Sequence, residues 1–113
     1  QIDEPLFARY PERALEFGIE NLDRAFQDCP EGVIRTAHMC CGYPGKIDVV
    51  DYPKAPRESY LQIADTMEAS SVMALSLEDA HRYNDLSLLE QITLDMFRLA
   101  YLTGFMTCGL LNL

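Results

Sequence analysis

The chain has no cluster of lysine or arginine, and its 9 basic residues stand against 18 acidic ones for a formal net charge of -9. A surface that follows a phosphate backbone needs grouped cations, so a nucleic-acid partner is not expected. An acidic surface confers solubility, and carboxylates gathered in a cleft can hold a metal or an amine. No apolar run reaches the roughly 20 residues that span a bilayer. The uncharged stretch from Leu99 to Leu113 falls short, and Asp95 and Arg98 interrupt any extension. The cysteines, Cys29, Cys40, Cys41 and Cys108, are few, and two of them are adjacent, unlike a secreted disulfide framework. Gln1-Ile2-Asp3-Glu4-Pro5 lacks the basic-then-apolar order of a signal peptide, and a reducing, cytoplasmic compartment is expected. No internal repeat is visible, and 113 residues suffice for one domain with a modest core.

What is present alternates in period. Ile2-Asp3-Glu4-Pro5 reads as the end of a strand stopped by proline, with almost no strand before it, as in a fragment. Pro11 to Asp28 reads as an amphipathic helix. Pro11 suits its first position, and Leu15, Gly18, Ile19, Leu22 and Phe26 fall on one face. Val33 to Gly42 reads as a second strand, followed by the Gly42-Tyr43-Pro44-Gly45 turn. The stretch from Tyr43 to Arg57 is a long, proline-rich loop, a length often associated with lids or binding loops. Arg57 to Ser70 returns to the helical period, with Tyr60, Ile63, Ala64 and Met67 on one side. Ser71 to Leu77 is a nearly continuous apolar strand of the kind covered on both faces in a parallel sheet. A polar loop from Glu78 to Asn84 leads to Asp85, a suitable N-cap for a last helix. The tail after it reads as a buried helix or a subunit contact. The order β-α-β-α-β-α implies parallel strands, with chemistry at their C-terminal ends.

Potential ligands fall at those ends. His38 and Cys40 are two residues apart, so on a strand they project from the same face. Imidazole and thiolate are both zinc ligands, although a His and a Cys packed for shape would give the same pattern. Asp3 and Glu4 close the first strand and Glu78 closes the third, bringing carboxylates to the same end. Glu78 and Asp79 also suit a turn cap, and Cys41 should point away from His38 and Cys40 and serve packing. His81 fits a solvated loop position, while Tyr43 and Tyr52 fit either a pocket wall or a pin for their loop.

Ile2-Asp3-Glu4-Pro5, His38-Met39-Cys40 and Leu75-Ser76-Leu77-Glu78 resemble the C-terminal catalytic domain of cobalamin-independent methionine synthase. That domain is a (β/α)8 barrel of the type shared with uroporphyrinogen decarboxylase. His-Met-Cys-Cys-Gly-Tyr-Pro and Ser76-Leu77-Glu78-Asp79-Ala80-His81 are similar to its shorter, single-barrel homologues. The resemblance covers approximately residues 1 to 90 and implies an α/β fold of three consecutive βα units of a TIM-type barrel, incomplete in this chain. From about residue 91 an apolar tail is unmatched. The function it implies is zinc-dependent methyl transfer from methyltetrahydrofolate, in its polyglutamate form, to homocysteine or another small thiol, as in methionine biosynthesis. His38, Cys40 and Glu78 match three zinc ligands, and Asp3 matches the aspartate that holds the amino group of homocysteine. Arg9 departs from the pattern, standing where the family has a glutamate against the pterin. The family's fourth zinc ligand, a cysteine from a later strand, lies beyond the match, and Cys108 is in a helix-like context. The alternative is a truncated, inactive relative serving as a structural or interaction subunit. A complete barrel takes about 250 residues, so a partner chain or a remaining barrel segment is expected to cover the open sheet edges.

Overall fold

The computed structural model describes residues 1–42, 55–78, 87–92, 99–104 and 107–108, and for 89, 99–104 and 107–108 it describes the backbone. The chain is mixed α/β. Strand β1 is Ile2–Glu4, followed by α1 (Pro11–Arg13), a π-helical segment (Ala14–Gly18) and α2 (Ile19–Ala25). Then come β2 (Thr36–Met39), α3 (Arg57–Ala69), β3 (Ala74–Glu78), α4 (Ser87–Gln91), β4 (Leu99–Gly104) and β5 (Thr107–Cys108). The expected loop of 43–54, the loop residues after Glu78 and the Asp85 cap lie outside the described residues.

The sheet runs in sequence order, β1-β2-β3-β4-β5. The first four strands are parallel, and β5 turns back antiparallel on β4. Among these parallel strands the order never reverses, so the sheet has no switch point of the kind that divides a doubly wound fold. Register is set by a single alternation. Ala37 pairs with Leu75 and Met39 with Leu77, and all four are buried. On the helix side, Met39 and Leu75 line a small apolar cavity with Tyr60, Ile63, Ala64 and Met67 of α3, and with Ile92. Residues of the other parity, Asp3, His38 and Ser76, are aligned across β1, β2 and β3 on the opposite face.

The helical stretch beginning at Pro11 has the expected start, with proline in its first turn, but its buried side differs from simple 3.6-residue spacing. Ala14, Ile19 and Leu22 are buried, whereas Leu15 and Phe17 are exposed. The π segment, with Ile19 N–H bonded to Ala14 O, widens one turn and shifts the phase of the residues around it. Gly18 lies against Phe7, and a Cβ there would come within 2.7 Å of the ring Cε1. The helix α3 follows the expected pattern, burying Tyr60, Ile63 and Met67.

The second strand is shorter than Val33 to Gly42. Its neighbour β1 has only three residues to offer, and the ladder ends at Met39, leaving Val33 and Ile34 exposed before it. The tail is a correction of kind. Leu99–Gly104 is a strand paired with β3 rather than a helix. Its backbone pairs with β3 and extends the sheet, and a short apolar run does not by itself separate a buried strand from a helix. Among the described residues, no helix is long and apolar enough to cross a membrane.

Below the sheet, Asp23 joins α2 to the chain entering β3. Its Oδ1 accepts from both the backbone N–H and the hydroxyl of Ser71, each at 2.7 Å. Arg35 Nε donates to Ser71 O at 2.7 Å, binding the start of β2 to the same turn. Hydrogen bonds to a charged group contribute more than neutral ones, and removal of the carboxylate leaves two donors unpaired. Asp23→Ala is therefore expected to lower unfolding stability by about 2 kcal/mol. Urea denaturation checks this, and a loss indistinguishable from zero would show that the link is not structural.

Candidate functional site

The parallel ladder places Asp3 and His38 in one row across the sheet. Asp3 pairs with His38, and His38 pairs with Ser76. Cys40 and Glu78 follow two residues beyond His38 and Ser76, at the C-terminal ends of their strands. Asp3 is exposed, while His38, Cys40 and Glu78 are half-buried. Cys41, of opposite parity, is 1% exposed and belongs to the apolar core, as alternation predicts.

Each side chain is held differently. The Nδ1 atom of His38 lies 2.9 Å from Ser76 Oγ. Oε2 of Glu78 accepts the Cys41 N–H at 3.4 Å, so its carboxylate reaches the chain beside Cys40. The Gly42 N–H points at Cys40 Sγ from 3.4 Å, and Gly42 has a φ of 74°, in the left-handed region that suits glycine. Asp3 Oδ1 accepts from the Gln1 side-chain amide at 2.7 Å. Arg9, where a pterin-contacting glutamate would stand, is half-buried with its guanidinium 5.7 Å from the Tyr10 ring centroid.

The electrostatics of the face follow from burial and carboxylates. Burial is the largest influence on the Cys40 thiol and pushes its pKa up. The Gly42 N–H acts in the opposite direction, while Glu78, Asp3 and Cys41 raise it further by charge repulsion. Burial also raises the pKa of Glu4, which has the opposite strand parity to Asp3. Burial first, and then the nearby carboxylates, thus favour the protonated form of the Cys40 thiol. A cation would reverse that balance, because it favours thiolate and carboxylate together.

An imidazole, a thiol and a carboxylate are the donor types that zinc takes, and on that chemistry the residues fit the ion. His38 fits in a second respect, because its Nδ1 is engaged by a neighbouring hydroxyl, the arrangement common for metal-bound histidine. Among the described residues, however, no three His, Cys, Asp or Glu side chains are gathered closely enough to hold a metal ion as they stand.

Cys108 has a different setting from the helix-like tail expected for it. It lies on β5 opposite Thr103, and Thr103 pairs with Glu78. Its backbone therefore belongs to the same cross-sheet row as Glu78, two strands away. The signal that could have found this row was the strand character of residues 99–104, which alone sets the register. His81 and the loop tyrosines Tyr43 and Tyr52 lie outside the described residues. Ser76 was visible in sequence only as part of a motif, and its partnership with His38 needed the register.

Compared with known proteins, the chain matches no family model, no curated protein and no solved structure.

The charge balance around Cys40 makes a direct prediction. In metal-free protein, Cys40 should react with iodoacetamide more slowly than an unhindered thiol at pH 7.5, since the thiolate is the nucleophile. Glu78→Gln removes one carboxylate at nearly constant shape and should accelerate alkylation several-fold. Mass spectrometry of the modified peptide gives the rate, and an unchanged rate would show that Glu78 does not act on the thiol.

Proposed function

We propose that this chain contributes part of a (β/α)8-type barrel that carries out zinc-dependent methyl transfer to a thiol. The donor is methyltetrahydrofolate and the acceptor homocysteine or a related small thiol. The observation that carries the reading is the alignment of Asp3, His38 and Ser76 across three parallel strands, with Cys40 and Glu78 one step further on the same face. Support for the barrel comes from strands in sequence order without a switch point and from helix-side packing on the opposite parity.

In this reading His38, Cys40 and Glu78 hold the ion. Zinc bound there supplies a positive charge that lowers the pKa of a thiol and keeps it in its nucleophilic form. Glu78 also fixes the turn after β2 through the Cys41 N–H, which keeps Cys40 at the strand end. Asp3 is exposed one strand away and can accept the ammonium of an amino-acid thiol, exchanging the Gln1 amide for a charged donor. Holding the acceptor at both its amine and its sulfur restricts the sulfur's approach to the methyl group, an orientation effect. The remaining barrel, whether from another chain or from further segments of this one, would pair the outer edge of β1.

A second reading is a structural or interaction subunit without catalysis. It is favoured by the absence, among the described residues, of three donors already gathered for a metal.

Zinc content separates the two. Purified chain equilibrated with zinc and dialysed should retain about one equivalent, as expected for a site of this donor set. His38→Ala and Cys40→Ala should each lose most of it, as measured by elemental analysis. No stoichiometric zinc in the unmutated chain would overturn the catalytic reading for this chain. Methyl transfer by the 113 residues in isolation is expected to be little or none, and Asp3→Asn should impair binding only of thiols that carry an amine.

A further inference from the structure

Strand β3 is buried along Ala74, Leu75, Ser76 and Leu77, with Ser76 only 4% exposed. An apolar residue would meet the packing needs of such a strand, and a buried hydroxyl is costly unless it is bonded. The partner of this hydroxyl is His38 Nδ1, at 2.9 Å. The pair is not incidental to side-chain length. His38 and Ser76 are direct register partners on neighbouring parallel strands, and their side chains leave the sheet on one face. A short hydroxyl in that position reaches the ring nitrogen nearer the backbone.

We propose that Ser76 is a positioning residue, which holds the His38 imidazole by Nδ1 and presents Nε2 as the nitrogen available to a ligand on the Cys40–Glu78 side. The ligand named here, a divalent zinc-like cation, rests on the function proposed above; the pinning of the ring does not. Neutral imidazole carries one donor and one acceptor nitrogen. A cation that takes the Nε2 lone pair requires the proton on Nδ1, where Ser76 Oγ accepts it. Ser76 thereby sets both the ring's orientation and the tautomer of the liganded state. Removing the hydroxyl leaves Nδ1 without this partner and frees the ring to turn about its side-chain torsions.

The test distinguishes the two nitrogens directly. In nitrogen-15-labelled, metal-free protein, two-bond proton–nitrogen spectra resolve Nδ1 and Nε2, and His81→Gln leaves His38 as the sole histidine. The expected result is a clear displacement of the Nδ1 resonance in Ser76→Ala, a smaller one for Nε2, and recovery in Ser76→Thr, which restores the hydroxyl. With cadmium-113 as the probe, scalar coupling should appear to Nε2. Ser76→Ala should bind cadmium about 10- to 100-fold more weakly, the usual cost of losing such a partner. An Nδ1 resonance unmoved by Ser76→Ala, or cadmium coupled to Nδ1, would overturn the proposal. Absence of cadmium binding together with an Nδ1 displacement in Ser76→Ala would support the pinning of the ring and contradict the zinc reading instead.

Discussion

The candidate site depends on one constraint, the register of the parallel ladder between β1, β2 and β3. With Asp3 opposite His38 and His38 opposite Ser76, side-chain alternation assigns every neighbouring residue to a face. Ala37, Met39, Leu75 and Leu77 go to the helices, and the polar row goes to the other side. A slip of one residue in β2 would exchange its two sets, burying His38 against α3 and moving Met39 out of the core. The core and the polar face are therefore specified by the same pairing, and neither can change without the other.

The electrostatic character of that face follows from the same placement. Cys40 is partly desolvated at a strand end, with Glu78 bonded to the adjacent backbone and Asp3 across the sheet. Burial is the main reason the thiol is held toward its neutral form, and Glu78 and Asp3 add to it by charge repulsion. The Ser76–His38 hydrogen bond engages one ring nitrogen of the imidazole on the same face. A face built in this way disfavours the thiolate, which makes Cys40 a poor isolated nucleophile.

Much of the layout was legible in sequence because its signals are local. The helix α3 announced itself through Tyr60, Ile63 and Met67, and β3 through a nearly continuous apolar run from Ser71 to Leu77, of which Ala74 to Leu77 are buried in the strand while Met73 is exposed before it. The burial of Cys41 in the apolar core followed from a period of two. The differences arose where geometry is decided by partners. The π turn at Ala14–Gly18 shifts the helical phase, and Leu15, expected on the apolar face, is exposed; no periodicity argument contains that turn. The extent of β2 matches its four-residue pairing with β3, and the strand at Leu99–Gly104 exists through its pairing with β3. The contact of Ser76 with His38 is a product of register, which sequence patterning sets only indirectly.

The central claim is that Cys40 and His38 act together on one side of the sheet as donors to a single cation. The most direct measurement is the zinc K-edge absorption spectrum of the zinc-loaded chain, compared with its Cys40→Ala and His38→Ala variants. A mixed shell of sulfur and lighter atoms is expected, losing a sulfur in Cys40→Ala and a nitrogen in His38→Ala and gaining one sulfur when homocysteine is added. A shell of nitrogen and oxygen alone, or one unchanged by Cys40→Ala, would contradict the claim.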